Sequence, residues 1–280
     1  MSHFRYRDLG DEALQRLAGE MAAGLPFPHV VIPDFISIPA EEVLAAFPDP
    51  DDPVWRHLTD AHEPHKMTVS DVDRMREPLA SMTRELASPS FLRFLEQVTG
   101  ISGLIPDPHL QGAGLHCTGP DGVTALHTDT HINERLRIFR RVNTLIYLNP
   151  QWQEAFGGCL GFYDPRDLSR PLRLIIPSWG TCVIFRSDER SVHGFTHPVS
   201  VGRLRRSIAA YYYTSVDAPD FGGGFLTNWL SPPARDQRGL HGLRRAGGVQ
   251  TLLYRSLRLA SKTFAHLAHR VRPRTFDRGR

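Results

Sequence analysis

Hydrophobic positions fall into two textures along the chain. From Asp11 to Ala23, apolar residues recur at Leu14, Leu17 and Met21, the spacing of one helix face. A short apolar run follows at residues 29–32, and a second helix is expected over about residues 40–47. The DPDDP stretch at 49–53 reads as a turn-rich loop. Ser88-Pro89-Ser90 opens a third helix, in which Phe91, Leu92, Phe94, Leu95 and Val98 form one apolar face before Gly100 ends it.

From about His109 the period shortens. β-rich runs succeed one another at 110–117, 123–126, 142–148, 159–163, 172–176, 181–185 and 207–214. Turn signals such as Thr118-Gly119-Pro120-Asp121-Gly122 and Asn149-Pro150 separate them. Many short punctuated strands predict a sandwich or barrel. The expected fold class is α+β: a jelly roll at 109–232, a mainly helical support region at 1–108, and a tail at 233–280. Ser231-Pro232-Pro233 reads as the linker to that tail. There a helix is expected at 249–268, with an apolar stripe of Val249, Leu253, Leu257, Ala260, Phe264 and Leu267. No internal repeat is evident.

Composition narrows the class. The chain has 280 residues, 41% hydrophobic and 22% charged, which excludes a disordered, collagen-like or disulfide-framed protein. No run reaches the roughly 18 apolar residues that a membrane helix needs. Cys117, Cys159 and Cys182 are odd in number and lack CxxC spacing, and the polar start MSHFRYRDLG has no apolar signal core. Reduced thiols and a cytoplasmic location are therefore expected. The net charge of +3 conceals an asymmetry, because residues 235–280 carry 12 Lys and Arg against Asp236 and Asp277, a net of +10. The remaining residues then carry 21 basic and 28 acidic side chains, a net of −7.

The chemistry centres on His127-Thr128-Asp129. Residues two apart on an extended chain face the same way, so His127 and Asp129 can share one ion. Two histidines and one carboxylate, with positions left open, make the facial triad of non-heme Fe(II) oxygenases. His193, after the 181–185 run and a turn, is the candidate second histidine, in competition with His197. His131 lies four residues past His127, but no HExxH helix supports a zinc hydrolase. Further on, Arg205 and Ser207 share one strand face, and Arg206 points the other way. A planar guanidinium with a hydroxyl beside it suits a carboxylate. Arg203 and Arg206 compete with Arg205 for that role, and Tyr147 and Asn143 share a face of the 142–148 run. Trp152, Phe156 and Trp179 read as core or pocket wall, and Cys159 as a small buried hydrophobe.

Several pieces occur together and in order: His127-x-Asp129, Ile146-Tyr147-Leu148-Asn149 with Trp152, Gly157-Gly158-Cys159-Leu160, Ile184-Phe185-Arg186-Ser187-Asp188 followed by His193-Gly194, and Arg205-x-Ser207. Over residues 110–215 the chain resembles the prolyl-hydroxylase-like branch of the 2-oxoglutarate/Fe(II)-dependent dioxygenase superfamily. The resemblance implies a double-stranded β-helix with iron held by His127, Asp129 and His193. It also implies that Arg205 holds the distal carboxylate of 2-oxoglutarate, with Tyr147 and Ser207 as further donors. The cosubstrates would be 2-oxoglutarate and O2, with ascorbate left open as a reductant. The implied reaction is hydroxylation of an unactivated C–H bond of an amino-acid residue or small biosynthetic metabolite, with oxidative decarboxylation of 2-oxoglutarate to succinate and CO2. Because Asp129 is present where halogenases carry a small residue, hydroxylation or desaturation is favoured over halogenation. Many relatives carry a larger polar residue at the position of Cys159 and an acid at that of Gly161, so the substrate does not transfer.

The basic tail admits packing onto the body, an anionic membrane surface or acidic partner, and, without a recognition motif, nucleic acid. A reading from another class also stays open: a non-catalytic metal-binding jelly roll that holds a partner through this tail. Oligomeric state is not legible in the sequence.

Overall fold

The computed structural model describes residues 2–133, 136–215 and 227–231. The tail helix and most of the linker expected from the sequence lie outside the described residues. Four α-helices come from the first hundred residues: α1 Asp11–Ala23, α2 Ala40–Ala46, α3 Leu79–Leu86 and α4 Pro89–Thr99. Expectation and structure agree at both ends of α1. For α4 the reasons are visible: the Ser88 hydroxyl accepts from the Phe91 N–H at 3.2 Å, Pro89 occupies the first turn, and Gly100 closes the helix at φ 68°.

Interleaved with these helices, and after them, run fourteen described strands. They are β1 His29–Ile32, β2 Arg56–His57, β3 Lys66–Val69, β4 Ile105–Pro106, β5 Gly114–Thr118, β6 Thr124–Thr128 and β7 Ile132–Asn133. There follow β8 Ile138–Tyr147, β9 Leu160–Tyr163, β10 Arg173–Ile175, β11 Cys182–Arg186, β12 Val192–Phe195, β13 Arg205–Ser215 and β14 Asn228–Trp229. They form two antiparallel sheets. The larger has the order β1-β11-β8-β13-β5-β3-β2, with β4 added on β13 and β7 on β8; the smaller is β10-β9-β12-β6-β14.

Alternation along β8 and β13 divides the core. Val142, Ile146, Ile208, Ala210 and Tyr212 turn to the helical layer, where they pack with Leu79, Met82, Phe91 and Leu95. On the opposite face, Tyr147, Val183 and Phe185 meet Leu160, Phe162 and Ile175 of the smaller sheet. The site lies between the two sheets. The result is the double-stranded β-helix with a helical layer.

The N-terminal region contributes more strand than its pattern predicts. β1 pairs with β11, and β3 pairs with β5, so the larger sheet runs across residue 108 without a break. The run expected at 110–117 begins as a turn, with Leu110 at φ 46° and Gly112 at φ 72°, and becomes strand at Gly114. A side chain at Gly114 would meet the Val69 carbonyl oxygen at 2.1 Å, so the close approach of β3 requires glycine here.

Candidate active site

Strand pairing brings the candidate metal ligands together. β6 and β12 are neighbours in the smaller sheet, and His193 sits directly opposite His127. Paired residues point to the same face, so the two rings meet with centroids 4.4 Å apart. Asp129, just beyond β6, brings its carboxylate to 3.6 Å from the Nε2 atoms of both histidines. The ligand atoms of all three lie within 4.8 Å of one another, the one such cluster among the described residues. His131 stays outside it, and His197 is exposed.

The imidazoles are held in a metal-binding tautomer. Nδ1 of His127 lies 2.8 Å from the Ala125 carbonyl, and Nδ1 of His193 lies 2.8 Å from the Ser191 carbonyl. Each Nδ1 therefore carries the proton and donates, leaving the Nε2 lone pair turned to the cluster. Burial, reinforced by His127, pushes the His193 pKa down to about 4, so the ring is neutral near pH 7. Asp129 is the reverse case. Burial opposes its ionisation, but Arg140, His193 and His127 outweigh burial and hold the carboxyl well below the usual range. The donor set, two imidazoles and one carboxylate, is that of the Fe(II) facial triad.

The second half of the site is on the larger sheet. Arg205 opens β13 and is 6% exposed. Its Nε donates to the Gly158 carbonyl at 2.6 Å, and Nη2 donates to the Tyr147 hydroxyl at 3.1 Å. The guanidinium carbon sits 4.3 Å from the Phe195 ring centroid and 4.9 Å from that of Tyr147. Among the described residues no carboxylate comes within ion-pair distance of Arg205. A buried cation met only by neutral acceptors fits an anionic ligand. Ser207, also buried, pairs with Tyr147 across β13 and β8 and faces the same way as Arg205. Burial raises the Tyr147 pKa despite the pull of Arg205, which keeps its hydroxyl protonated. The competitors face elsewhere: Arg206 lies over the Phe47 ring at 5.5 Å, and exposed Arg203 over Phe156 at 4.0 Å.

The remaining expectations find their places. Trp152 donates from Nε1 to the Gly157 carbonyl, packs edge-on against Phe156 and joins Phe195 and Val199 in a small buried cluster. Trp179 packs against the main core, and Cys159 is buried. A side chain at Gly161 would meet the Tyr163 ring at 2.6 Å, so that ring occupies the space beside the glycine.

Asn143 lines the site, as its face predicts, and does more: its Nδ2 donates to Asp129 Oδ2 at 2.6 Å. Two further residues escaped the sequence pattern. Arg140 lies against Asp129 at 3.2 Å, although strict alternation from Asn143 puts it on the other face. The register explains this: Tyr212 pairs with Val142 but Tyr213 pairs with Arg140, so Arg141 is an extra, bulged residue that turns Arg140 inward. Trp229 pairs with His127, covers its ring at 4.8 Å, and stacks on His62 at 4.5 Å and 10°. A lone tryptophan ahead of a proline-rich stretch gave no sign of this.

Parts of the chain are similar to known proteins. Residues 113–214 match the profile of the 2OG-Fe(II) oxygenase superfamily. The mouse protein named prolyl 3-hydroxylase OGFOD1 is 28% identical over 198 residues, covering 67% of this chain and 33% of that protein. Its Xenopus laevis counterpart is 29% identical over 87 residues, 30% of this chain and 17% of the relative. The chain thus spans about a third, or less, of the length of these relatives. Among solved structures, a Pseudomonas putida prolyl-4-hydroxylase superposes with a TM-score of 0.49 at 20% identity, over 72% of this chain and 98% of the other. The segment 113–214, which contains the His–Asp–His cluster and Arg205, is thus similar to the 2OG-Fe(II) oxygenase superfamily.

Proposed function

We propose that this protein hydroxylates an unactivated C–H bond of an amino-acid residue, or of a small biosynthetic metabolite, using Fe(II), 2-oxoglutarate and O2. The observation that carries this reading is the pairing of a His–Asp–His cluster with a buried guanidinium that no described carboxylate neutralises. Either feature alone fits a binding module; both together fit a metal plus a keto acid. His127, Asp129 and His193 would hold the ion. Arg205, with Tyr147 and Ser207, would anchor the distal carboxylate of the cosubstrate and so orient its keto end. When bound, iron and 2-oxoglutarate supply the oxidising power: one oxygen atom of O2 goes to succinate as CO2 leaves, and the other goes to the substrate carbon.

The hydrophobic wall of Phe162, Phe185 and Tyr147 excludes water behind the site. Trp229 does so beside His127. Peptidyl proline is the first substrate class to test, because the curated relatives are named prolyl hydroxylases. Three buried thiols accord with a reducing, cytoplasmic setting. The +10 tail is proposed to attract an anionic partner, an acidic protein or a membrane surface.

The test uses the full chain with Fe(II), ascorbate, 2-oxoglutarate and 18O2, alone and with matched proline- and alanine-containing peptides. Succinate above the level of the His127→Ala protein, with one labelled oxygen in a proline-containing peptide, is the expected result. Metal-loaded protein that makes no more succinate than that variant would favour the non-catalytic metal-binding module.

A further inference from the structure

Asp129 has two carboxylate oxygens, and the protein treats them differently. Oδ2 accepts from Asn143 Nδ2 at 2.6 Å and lies 3.2 Å from Arg140 Nη2. Oδ1 has neither contact; it lies 3.6 Å from His127 Nε2, as Oδ2 does from His193 Nε2, so the two oxygens differ in their Asn143 and Arg140 contacts and not in their distance to the imidazoles. The Asn143 amide cannot be reversed, because its Oδ1 accepts from Arg140 Nε at 2.7 Å, so Nδ2 must face the carboxylate. Arg140 is fixed in turn, with its guanidinium carbon 3.4 Å from the centroid of the Tyr211 ring. Asn143 is 1% exposed and Arg140 7%, and both stand on β8, a strand paired on both sides. The chain Tyr211–Arg140–Asn143–Asp129 is thus rigid and points at one oxygen.

A carboxylate that offers both oxygens to an ion fills one more coordination position than a carboxylate that offers one. The facial triad works only while its other positions stay open. We propose that Asn143 and Arg140 are positioning residues that reserve Oδ2 for the protein and Oδ1 for the metal, keeping open the coordination position that the keto acid needs. This inference rests on the dioxygenase reading and goes beyond it, since neither residue touches metal or cosubstrate.

Co(II) replaces Fe(II) in the test, because its visible d–d bands report coordination number without turnover. The full-length wild-type chain, loaded with Co(II) and titrated with 2-oxoglutarate, comes first; if it binds neither, the dioxygenase reading fails and this inference falls with it. Asn143→Leu keeps the volume and removes the amide. The expected result is shifted d–d bands before any keto acid is added, and affinity for 2-oxoglutarate weakened by about tenfold, the usual consequence of losing a partner behind a ligand. Arg140→Lys keeps the charge but loses the bond to Asn143; it should shift the bands in the same direction by less, and it carries the comparison if the leucine variant does not fold. A packing defect would lower the melting temperature while leaving the bands of the folded, loaded protein in place. Unmoved bands with wild-type affinity for 2-oxoglutarate, at any melting temperature, would overturn the proposal.

Discussion

Arg140 and Arg205 are both buried on inward-facing positions of the larger sheet, yet the protein handles them in opposite ways. Arg140 faces Asp129 at 3.2 Å, bonds Asn143 and lies on Tyr211. Arg205 meets a backbone carbonyl, a phenol and aromatic rings, but no described carboxylate. A buried charge is tolerated when paired and is costly when unpaired. The first arginine is therefore part of the frame, and the second is the one proposed to meet an anionic ligand. Structural and functional cations look alike in a sequence; their partners tell them apart.

The largest effect should come from breaking the paired charge. Asp129→Ala leaves Arg140 buried without its carboxylate, and the metal-free protein should lose about 3–5 kcal/mol in urea unfolding. Adding Arg140→Met should recover most of that loss, because an uncharged side chain then occupies the site. An Asp129→Ala protein as stable as wild type would dissolve the contrast. At the unpaired charge the pattern should invert. Arg205→Leu should weaken 2-oxoglutarate binding by about a hundredfold in anaerobic calorimetry while leaving metal-free stability within about 1 kcal/mol of wild type. A large stability loss there would make Arg205 a second structural cation.

Smaller effects sharpen the picture of the anchor. Tyr147→Phe removes the hydroxyl that meets Arg205 and should weaken 2-oxoglutarate by about tenfold in the same calorimetry, with metal affinity unchanged. Ser207→Ala should weaken it by about threefold, the level of one neutral hydrogen bond. If the serine variant lost more affinity than the tyrosine variant, the order of the two donors would be reversed.

Where burial is one-sided, the sequence shows it. α1 and α4 are amphipathic, and α4 is also bounded by its own caps, Ser88 and Gly100, so apolar period places both helices and cap residues fix the ends of the second. His127 and Asp129 were legible because two-residue spacing on a strand is geometry in itself. β12, which carries His193, is only four residues long, so the run and turn before it marked that histidine as a candidate but left His197 in competition. β3 was hidden for another reason. Lys66-Met67-Thr68-Val69 is too short to show a period, and it is strand because β5 lies beside it. Arg140 was illegible in principle: the bulge at Arg141 shifts the faces of β8 by one residue, and no side chain announces it.

The central claim is that the His–Asp–His cluster and Arg205 together hold one metal and one keto acid. Anaerobic titration of the metal-free protein with Fe(II), then with 2-oxoglutarate, tests it most directly through the weak metal-to-ligand charge-transfer band in the visible region. The account predicts that the band appears only after both are added, is absent in Asp129→Ala, and needs far more 2-oxoglutarate in Arg205→Leu. A folded wild-type protein that gives no band at saturating Fe(II) and 2-oxoglutarate would contradict it.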